Sequence, residues 1–327
     1  KPIKMSFFYK EYNPSFLFKN AHANTISAAL FRKKLPLDYE RQRFILNDGD
    51  FIDLDFSIKD SETLVIAMHG LEGSSKSKYI ISAINYLNLN NIDCIAVNFR
   101  GCSGEDNNQP YSYNSGKTDD VSLIINYILD NYNYKNIVLL GYSMGGNITL
   151  KYLGETDEIP NQIKGGIAIS TPCDLEGSSN SLANWNNAIY MNRFLKTLKD
   201  KSLTKIAKFP ESNLDKSAIL NAKNFEDFDN AVTAPLFGFK NAKDYWTQCS
   251  SKQFIPSIKT PTLVINAKDD SFLSKSCFPI LEAENHKQLY LETPKYGGHV
   301  GFNTSIVEND PLWSENRIVQ FIQHIIS

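Results

Sequence analysis

The stretch VLLGYSMGGNITL, residues 138–150, places one serine between glycines, between a strand-like and a helix-like run. Gly141, Ser143 and Gly145 stand two positions apart. A serine on a sharp turn needs neighbours without side chains, because strand and helix come close there. The pattern in this context is typical of a nucleophile elbow. The alternative is a chance match in a flexible turn, which arises in roughly one chain of ten of this size.

Two backbone N–H groups are candidates for binding the oxyanion of an acyl-transfer intermediate. Met144 follows the serine, where the helix begins and its dipole favours negative charge. Leu71 follows His69 and Gly70 after the strand-like run TLVIAMHG. An N–H from this second loop is the usual partner of an elbow serine. His69 is itself a candidate base, but its position favours a structural role in the loop.

A base and an acid should follow the serine in the order acid, then histidine. Of the downstream histidines, His286 precedes the last strand-like run and His324 lies in the terminal helix-like run. His299 lies in the glycine-rich KYGGHVGF after the last strand, at the same sheet edge as the serine. The acid is expected in PTLVINAKDDSFLS, where we choose Asp270 and keep Asp269 as the alternative. Adjacent aspartates also form solvated loop pairs.

Short apolar runs alternate with helix-like segments around the opening stretch. The runs RFILND and FIDLDFS, joined at Asp48 and Gly49, predict a hairpin. Further predicted strands are TLVIAMHG, IDCIAVNF, NIVLLGY, GGIAIST, PTLVINA and KQLYLETP. Strands that alternate with helices predict an α/β fold, with a mostly parallel sheet flanked by helices on both faces.

The pattern changes after residue 173, which predicts three parts. Residues 1–173 form the first part of the core, with an N-terminal extension over about 1–40. Residues 174–255 are polar and helix-leaning, which indicates a helical cap insertion. Residues 256–327 return to strand character and complete the core.

The predicted cap contains a run of mixed apolar and basic residues. Its members are Trp185, Ile189, Phe194, Leu195 and Leu198 among Arg193, Lys196, Lys199, Lys201 and Lys205. One interpretation is a cap helix with an apolar underside and a solvated basic face. The other is a surface that meets anionic lipid. The apolar side also suggests an acyl-chain pocket.

Composition excludes several classes of function. The 327 residues carry a net charge of −2 and are 42% hydrophobic, so no basic field favours nucleic acid. No apolar run is long enough to cross a bilayer, and no secretory signal is visible. Five scattered cysteines without CxxC spacing argue against a zinc site or a disulfide framework. These features predict a cytoplasmic protein, with contact to a membrane only at its periphery.

Several quoted segments together are similar to one family. They are NAHANTI, LNDGDFIDLDF, MHGLEGSSKSKYI, NFRGCSGE, GYSMGGNITLKYLGE, TPCDL, FEDFDNAVTAPLFGF, KDYW, INAKDDSF and GGHVGF. The chain resembles the α/β-hydrolase superfamily over nearly its whole length, and within it the YheT-like branch of esterases and lipases. That branch includes eukaryotic abhydrolase-domain lipases and yeast ester-forming acyltransferases. NAHANTI stands where relatives usually have Gly and Gln, and Ser271 stands where Pro is common.

The resemblance implies a triad of Ser143, Asp270 and His299, with Leu71 and Met144 as oxyanion donors. It strengthens the choice of Asp270 over its neighbour. It implies hydrolysis of a small-molecule or lipid carboxylic ester, without metal or organic cofactor. Two alternatives are an acyltransferase that uses the same acyl-enzyme and a non-catalytic binding protein on this scaffold.

Overall fold

The computed structural model describes residues 11–30, 32, 36–305 and 311–327, and its strands form one eight-stranded sheet. Residues 1–10, 31 and 33–35 of the predicted N-terminal extension lie outside the described residues. The strands are β1 (Glu40–Ile45), β2 (Phe51–Ser57), β3 (Thr63–Met68), β4 (Asp93–Asn98), β5 (Asn136–Tyr142), β6 (Ile163–Ile169), β7 (Thr262–Ile265) and β8 (Leu289–Glu292). Their order across the sheet is β1-β2-β4-β3-β5-β6-β7-β8.

Helices flank this sheet and fill the segment between β6 and β7. They are α1 (Ala21–Leu30), α2 (Lys78–Leu89), α3 (Thr118–Asn131), α4 (Met144–Glu155), α5 (Leu175–Leu182), α6 (Ala188–Lys208), α7 (Lys216–Asn221), α8 (Phe225–Phe228), α9 (Ala234–Phe237), α10 (Ala242–Cys249), α11 (Ile280–Glu284) and α12 (Trp313–Ile326). A π-helical turn, Asp229–Thr233, joins α8 to α9.

The sheet is mostly parallel, as the alternation predicts. β3 through β8 pair in parallel, whereas β2 runs antiparallel to both β1 and β4. The predicted hairpin is therefore present, with Ile45 opposite Phe51. Every residue of β3 and β4 is buried, because helices cover both faces of these strands. The carboxyl ends of β3, β5, β6 and β7 consequently meet at one edge, where the connecting loops converge.

Two further features of the fold are the burial of the cysteines and the apolar character of the helices. All five cysteines are free and buried, and Cys94 lies fully inside the core as its apolar surroundings predict. Among the described residues, no helix combines the length and the apolar character that a bilayer span requires.

The predicted sidedness of the basic run in α6 is partly wrong. Trp185 and Ile189, expected on the apolar underside, are 90% and 74% exposed. Lys205, expected on the solvated face, is buried and donates to the carbonyls of residues 107 and 109. Lys201 also faces inward. The long stems of these lysines pack under the helix while their charged ends find acceptors, which charge counting along a sequence does not reveal.

Candidate active site

Ser143 stands on a strained turn between the end of β5 and the start of α4. Its backbone has φ +52° and ψ −117°, a conformation that side-chain-bearing residues rarely adopt. Such a conformation costs about 1–3 kcal/mol and persists only where the surroundings enforce it. Here the Ser143 N–H donates to the carbonyl of Ile169 at 2.8 Å. This turn lies at the carboxyl edge of the sheet, where the elbow is predicted.

The two glycines that flank the serine leave room for strand and helix to meet. A Cβ atom on Gly141 would collide with the carbonyl oxygen of Gly145. A Cβ atom on Gly145 would lie 2.8 Å from the carbonyl oxygen of His69 at the end of β3. Backbone atoms make both contacts, so no rotamer change relieves them. The glycines are required by this close approach.

The structure brings Ser143, His299 and Asp270 into one chain of hydrogen bonds. Ser143 Oγ lies 2.9 Å from His299 Nε2, and His299 Nδ1 lies 2.8 Å from Asp270 Oδ2. The Asp270 side chain is fully buried, and the second carboxylate oxygen accepts from Phe272 N–H at 3.0 Å. With Nδ1–H donating to the carboxylate, Nε2 is the acceptor for the serine hydroxyl.

Asp269, the alternative acid, does not contact the imidazole. Its Oδ1 accepts from the backbone N–H of Gly298 at 3.0 Å, and its Oδ2 is buried without a hydrogen-bond partner among the residues that the structure describes. Burial is the main cause that raises the pKa of Asp269 above its usual range. Asp269 therefore holds the backbone beside His299, whereas Asp270 holds the ring.

Phe272 is a site residue that sequence reasoning missed. Its ring stacks on the His299 imidazole with centroids 4.2 Å apart and planes 21° apart. It covers one face of the ring, which leaves the imidazole side chain only 11% exposed. Its position two residues after Asp270 is the sequence feature that could have identified it, because the Phe272 N–H donates to the Asp270 carboxylate.

The other histidines considered as bases lie elsewhere or are occupied. His69 is fully buried, its Nδ1 donates to the Gly70 carbonyl, and its Nε2 accepts from Phe99 N–H. Burial lowers the pKa of His69 to about 4, so the ring stays neutral, as expected for a structural residue. His286 precedes β8, and His324 lies on the exposed end of α12. Within the described ranges, no group of three or more His, Cys, Asp or Glu side chains is placed to hold a metal ion.

Leu71 and Met144 both line the cavity in front of Ser143. The amides on either side of Leu71 are occupied: Gly70 N–H donates to Tyr79 Oη, and Glu72 N–H donates to Tyr113 Oη, each at 2.9 Å. Leu71 N–H lies between them, and no acceptor in the described part of the chain takes it or Met144 N–H. Two free donors thus lie beside the serine.

The cavity itself has a volume of about 170 Å³ and is mainly apolar. Its floor contains Ser143 and His299, and its walls come largely from the helices between β6 and β7. The apolar wall residues are Leu175, Leu182, Phe194, Leu198, Leu214, Phe225, Phe228, Val232, Leu236, Phe237 and Trp246. Such a lining suits an alkyl or acyl chain.

A charged pair interrupts this apolar wall near the Leu71 loop. Lys201 Nζ of α6 donates to Glu72 Oε1 at 3.0 Å, and Tyr113 Oη donates to the same oxygen at 2.5 Å. The Glu72 side chain is 7% exposed, and its Oε2 is buried with no hydrogen-bond partner in the described ranges. The pair links α6 to the residue that follows Leu71. Charge spacing alone did not indicate it.

Asp229 is a second carboxylate in the cavity wall. Its oxygens accept from Thr233 Oγ1 at 2.6 Å and from Trp246 Nε1 at 2.9 Å. Both donors are neutral, and burial raises the pKa of Asp229 to about 6. The side chain therefore ties the π-helical turn to α10.

Comparison with known proteins defines the class. Residues 63–302 match the family model described as the alpha/beta hydrolase fold, and the chain belongs to this family. The Pyrococcus furiosus esterase Pf2001 has the same fold: its structure superposes with a TM-score of 0.59 at 18% identity, over 98% of this chain and 100% of that one.

Relatives matched by sequence show to which branch of this family the chain belongs. The candidate esterase YheT of Escherichia coli is 30% identical over 318 residues, which cover 95% of this chain and 93% of YheT. The human phospholipase ABHD3 is 26% identical over 324 residues, covering 96% of this chain and 79% of the relative. The chain is thus a YheT-like α/β-hydrolase of the carboxylic ester hydrolase class, and the predicted fold and family are confirmed.

Proposed function

We propose that the chain hydrolyses carboxylic esters through an acyl-enzyme on Ser143. His299 acts as the base, and Asp270 holds the imidazole in its tautomer and stabilises the imidazolium. The observation that carries this proposal is the relay from Ser143 Oγ to His299 Nε2 to Asp270, at 2.9 and 2.8 Å, on the floor of the cavity.

The proposed reaction proceeds in two halves. Ser143 Oγ attacks the ester carbonyl carbon while His299 Nε2 takes the hydroxyl proton. The oxyanion is bound by the N–H groups of Leu71 and Met144, each of which contributes about 3 kcal/mol when well aimed. His299 then protonates the leaving alcohol. Water, deprotonated by His299, attacks the acyl-enzyme and releases the acid and the serine.

The substrate class follows from the cavity lining. Its apolar walls favour a short- or medium-chain acyl ester or an acylglycerol-like lipid. We also propose that residues 174–255 act as a cap over Ser143, since helices of this segment supply most of the wall. A phospholipase among the relatives supports a lipid ester.

The test is labelling with a fluorophosphonate, detected by intact mass. One adduct is expected on the wild type and none on Ser143→Ala, which should also lose ester hydrolysis by at least a factor of about 10⁴. A panel of esters graded by acyl length then defines the chain preference. An adduct that persists on Ser143→Ala, or folded wild type without adduct or hydrolysis, overturns the proposal.

We further propose that the outer face of the cap meets a lipid surface. Trp185 is exposed just before α6 and Ile189 is exposed in its first turn, and Arg193 and Lys196 continue the exposed side one and two turns after Ile189. Aromatic and aliphatic side chains beside cations are typical of helices that lie at an anionic interface.

This surface is tested with a lipid ester in vesicles with and without anionic lipid. Trp185→Ala and Ile189→Ala should slow hydrolysis in anionic vesicles and leave a soluble short-chain ester unaffected. Leu89→Ala is the matched control, because Leu89 is equally exposed on α2. Hydrolysis rates that do not change with anionic lipid content contradict the proposal, as does an equal loss of rate in Leu89→Ala.

A further inference from the structure

We infer that Thr25, Ser170 and Asp269 are positioning residues that hold His299 by its backbone. The inference rests on the proposed role of His299 as the base. Three consecutive amides, those of residues 298, 299 and 300, each donate to a side chain from a different part of the fold. A loop that contains three glycines in five residues is thereby fixed at the point where the imidazole projects.

The three acceptors come from widely separated elements. Gly298 N–H donates to Asp269 Oδ1 at 3.0 Å, from the loop after β7. His299 N–H donates to Thr25 Oγ1 at 2.9 Å, from helix α1. Val300 N–H donates to Ser170 Oγ at 2.9 Å, from the residue after β6.

The direction of the central bond is determined by its hydroxyl. Thr25 Oγ1 donates its only proton to the Ala21 carbonyl at 2.8 Å within α1. Its lone pairs are therefore left to accept the N–H of His299. A valine at this position would keep the shape of the side chain and leave the part-buried N–H of His299 without this acceptor.

The glycines of GGHVGF are matched to the approach of α1. A Cβ atom on Gly298 would lie 2.6 Å from Thr25 Oγ1, and one on Gly301 would lie 2.9 Å from the carbonyl oxygen of Asn24. These residues therefore leave space for the helix, in the same way that the elbow glycines leave space for the strand end.

Asn24 fastens the far side of the same loop. Its side chain is fully buried, and its Oδ1 accepts from the backbone N–H and the side-chain Nδ2 of Asn303 at 3.1 and 2.8 Å. Its own Nδ2 donates to Tyr12 Oη and to the Phe18 carbonyl, both at 3.0 Å. The residues around α1 thus brace the loop on both sides of His299, although α1 precedes the range that matches the family model.

The central experiment compares Thr25→Val with two matched variants. Thr25→Ser keeps the acceptor and should retain wild-type kcat. Thr204→Val is the control, because Thr204 makes the same hydroxyl contact to a carbonyl four residues earlier in α6 and is exposed on the surface of that helix. Thr25→Val should lower kcat about 10- to 100-fold with KM unchanged, since a misplaced base slows chemistry more than binding.

Two further readouts separate positioning from general destabilisation. Fluorophosphonate labelling of Ser143 should slow in Thr25→Val by the same factor as kcat. The downfield proton resonance of His299 Nδ1–H should shift or broaden in Thr25→Val and not in Thr204→Val. Ser170→Ala removes a different acceptor and should show the same pattern, which keeps the test valid if Thr25→Val does not fold.

The outcomes distinguish this inference from the proposed function. If wild type labels at Ser143 while Thr25→Val and Ser170→Ala react like the control, the inference is wrong and the function stands. If Thr25→Ser loses as much kcat as Thr25→Val, the hydroxyl is not the cause and the inference also fails. If Ser143 does not label, the proposed function fails first.

Discussion

Ser143 and His299 face each other across 2.9 Å, yet the chain holds them in opposite ways. Ser143 is fixed by its immediate neighbours, since Gly141 and Gly145 let β5 and α4 close around it. His299 sits in a loop whose amides are held by side chains up to 274 positions away in sequence. The proposed nucleophile is therefore supported locally and the proposed base remotely.

This difference has an energetic side. The close packing around Gly141 and Gly145 is part of the sheet edge, so a substitution that disturbs it also destabilises the sheet. A remote support is a small set of hydrogen bonds, each worth about 1 kcal/mol net, so breaking one shifts the loop and leaves the sheet intact. Variants of the two supports should therefore separate loss of stability from loss of rate.

The largest effect is expected for Gly145→Ala. The added methyl group would overlap backbone carbonyls of β3, so the free energy of unfolding should fall by about 3 kcal/mol. Urea unfolding measures this, with Gly104→Ala as control. Gly104, unlike Gly145, has a positive φ, but the space around its Cβ position is open, so its substitution should cost only about 1 kcal/mol. Equal losses in both variants would show that the elbow is not tightly packed.

Gly298→Ala is the corresponding change in the remote support. Its methyl group would push against Thr25 and the Ala21 carbonyl and separate α1 from the loop. We expect kcat to fall about 10- to 100-fold, with an unfolding free energy only about 1–2 kcal/mol below wild type. A loss of stability as large as that of Gly145→Ala, with kcat retained, contradicts the comparison.

Lys201→Met tests whether the loop that contains Leu71, the proposed oxyanion donor, depends on a remote partner as well. The substitution removes the cation that faces Glu72 and leaves that nearly buried carboxylate with Tyr113 alone. Because Glu72 follows Leu71, we expect kcat on a soluble ester to fall about 5- to 10-fold, equivalent to roughly 1 kcal/mol. Lys196→Met, on the exposed side of α6, should leave it unchanged. Equal rates in Lys201→Met and Lys196→Met would show that the ion pair between Lys201 and Glu72 does not affect catalysis.

Asp229→Asn should change the pH dependence of the free energy of unfolding. Burial raises the folded pKa of Asp229 from 3.8 to about 6, so the folded state binds a proton that the unfolded state has released. The resulting stabilisation is complete below about pH 4 and is lost as the pH rises through 6. Relative to Asp229→Asn, wild type should thus be more stable at pH 5 than at pH 8, by about 1 kcal/mol. Asp200→Asn, an exposed control, should show no such change in urea titrations at the two pH values.

The sequence predicted the local features of the molecule well. Apolar runs bounded by turns predicted the sheet, because strands covered on both faces must be apolar throughout. The spacing of Gly141, Ser143 and Gly145 indicates a sharp turn, since the residues that permit it lie within five positions of one another. The structure also brings Asp270 and His299 together, and their proximity follows from the shared carboxyl edge of parallel strands.

The remote features were not predictable from spacing. The segment NAHANTI indicates no role for Thr25, because nothing in a ten-residue helix shows which distant amide the threonine hydroxyl will contact. The charge pattern predicts a solvated face for Lys201, since a lysine in a basic run cannot be distinguished from its exposed neighbours until its carboxylate partner, Glu72, is known. Residue type likewise predicts an apolar contact for Trp185, which the structure leaves exposed.

The contact between α1 and the His299 loop also sets an order on the assembly of the molecule. The two partners are 274 residues apart, so at 5–20 residues per second a ribosome makes the second about 15–55 s after the first. During that interval α1 has no loop to brace, and a ten-residue helix has little stability in isolation. Residue 143 is therefore made well before residue 299, and α1 cannot hold the proposed base beside Ser143 until the loop that contains His299 has been synthesised.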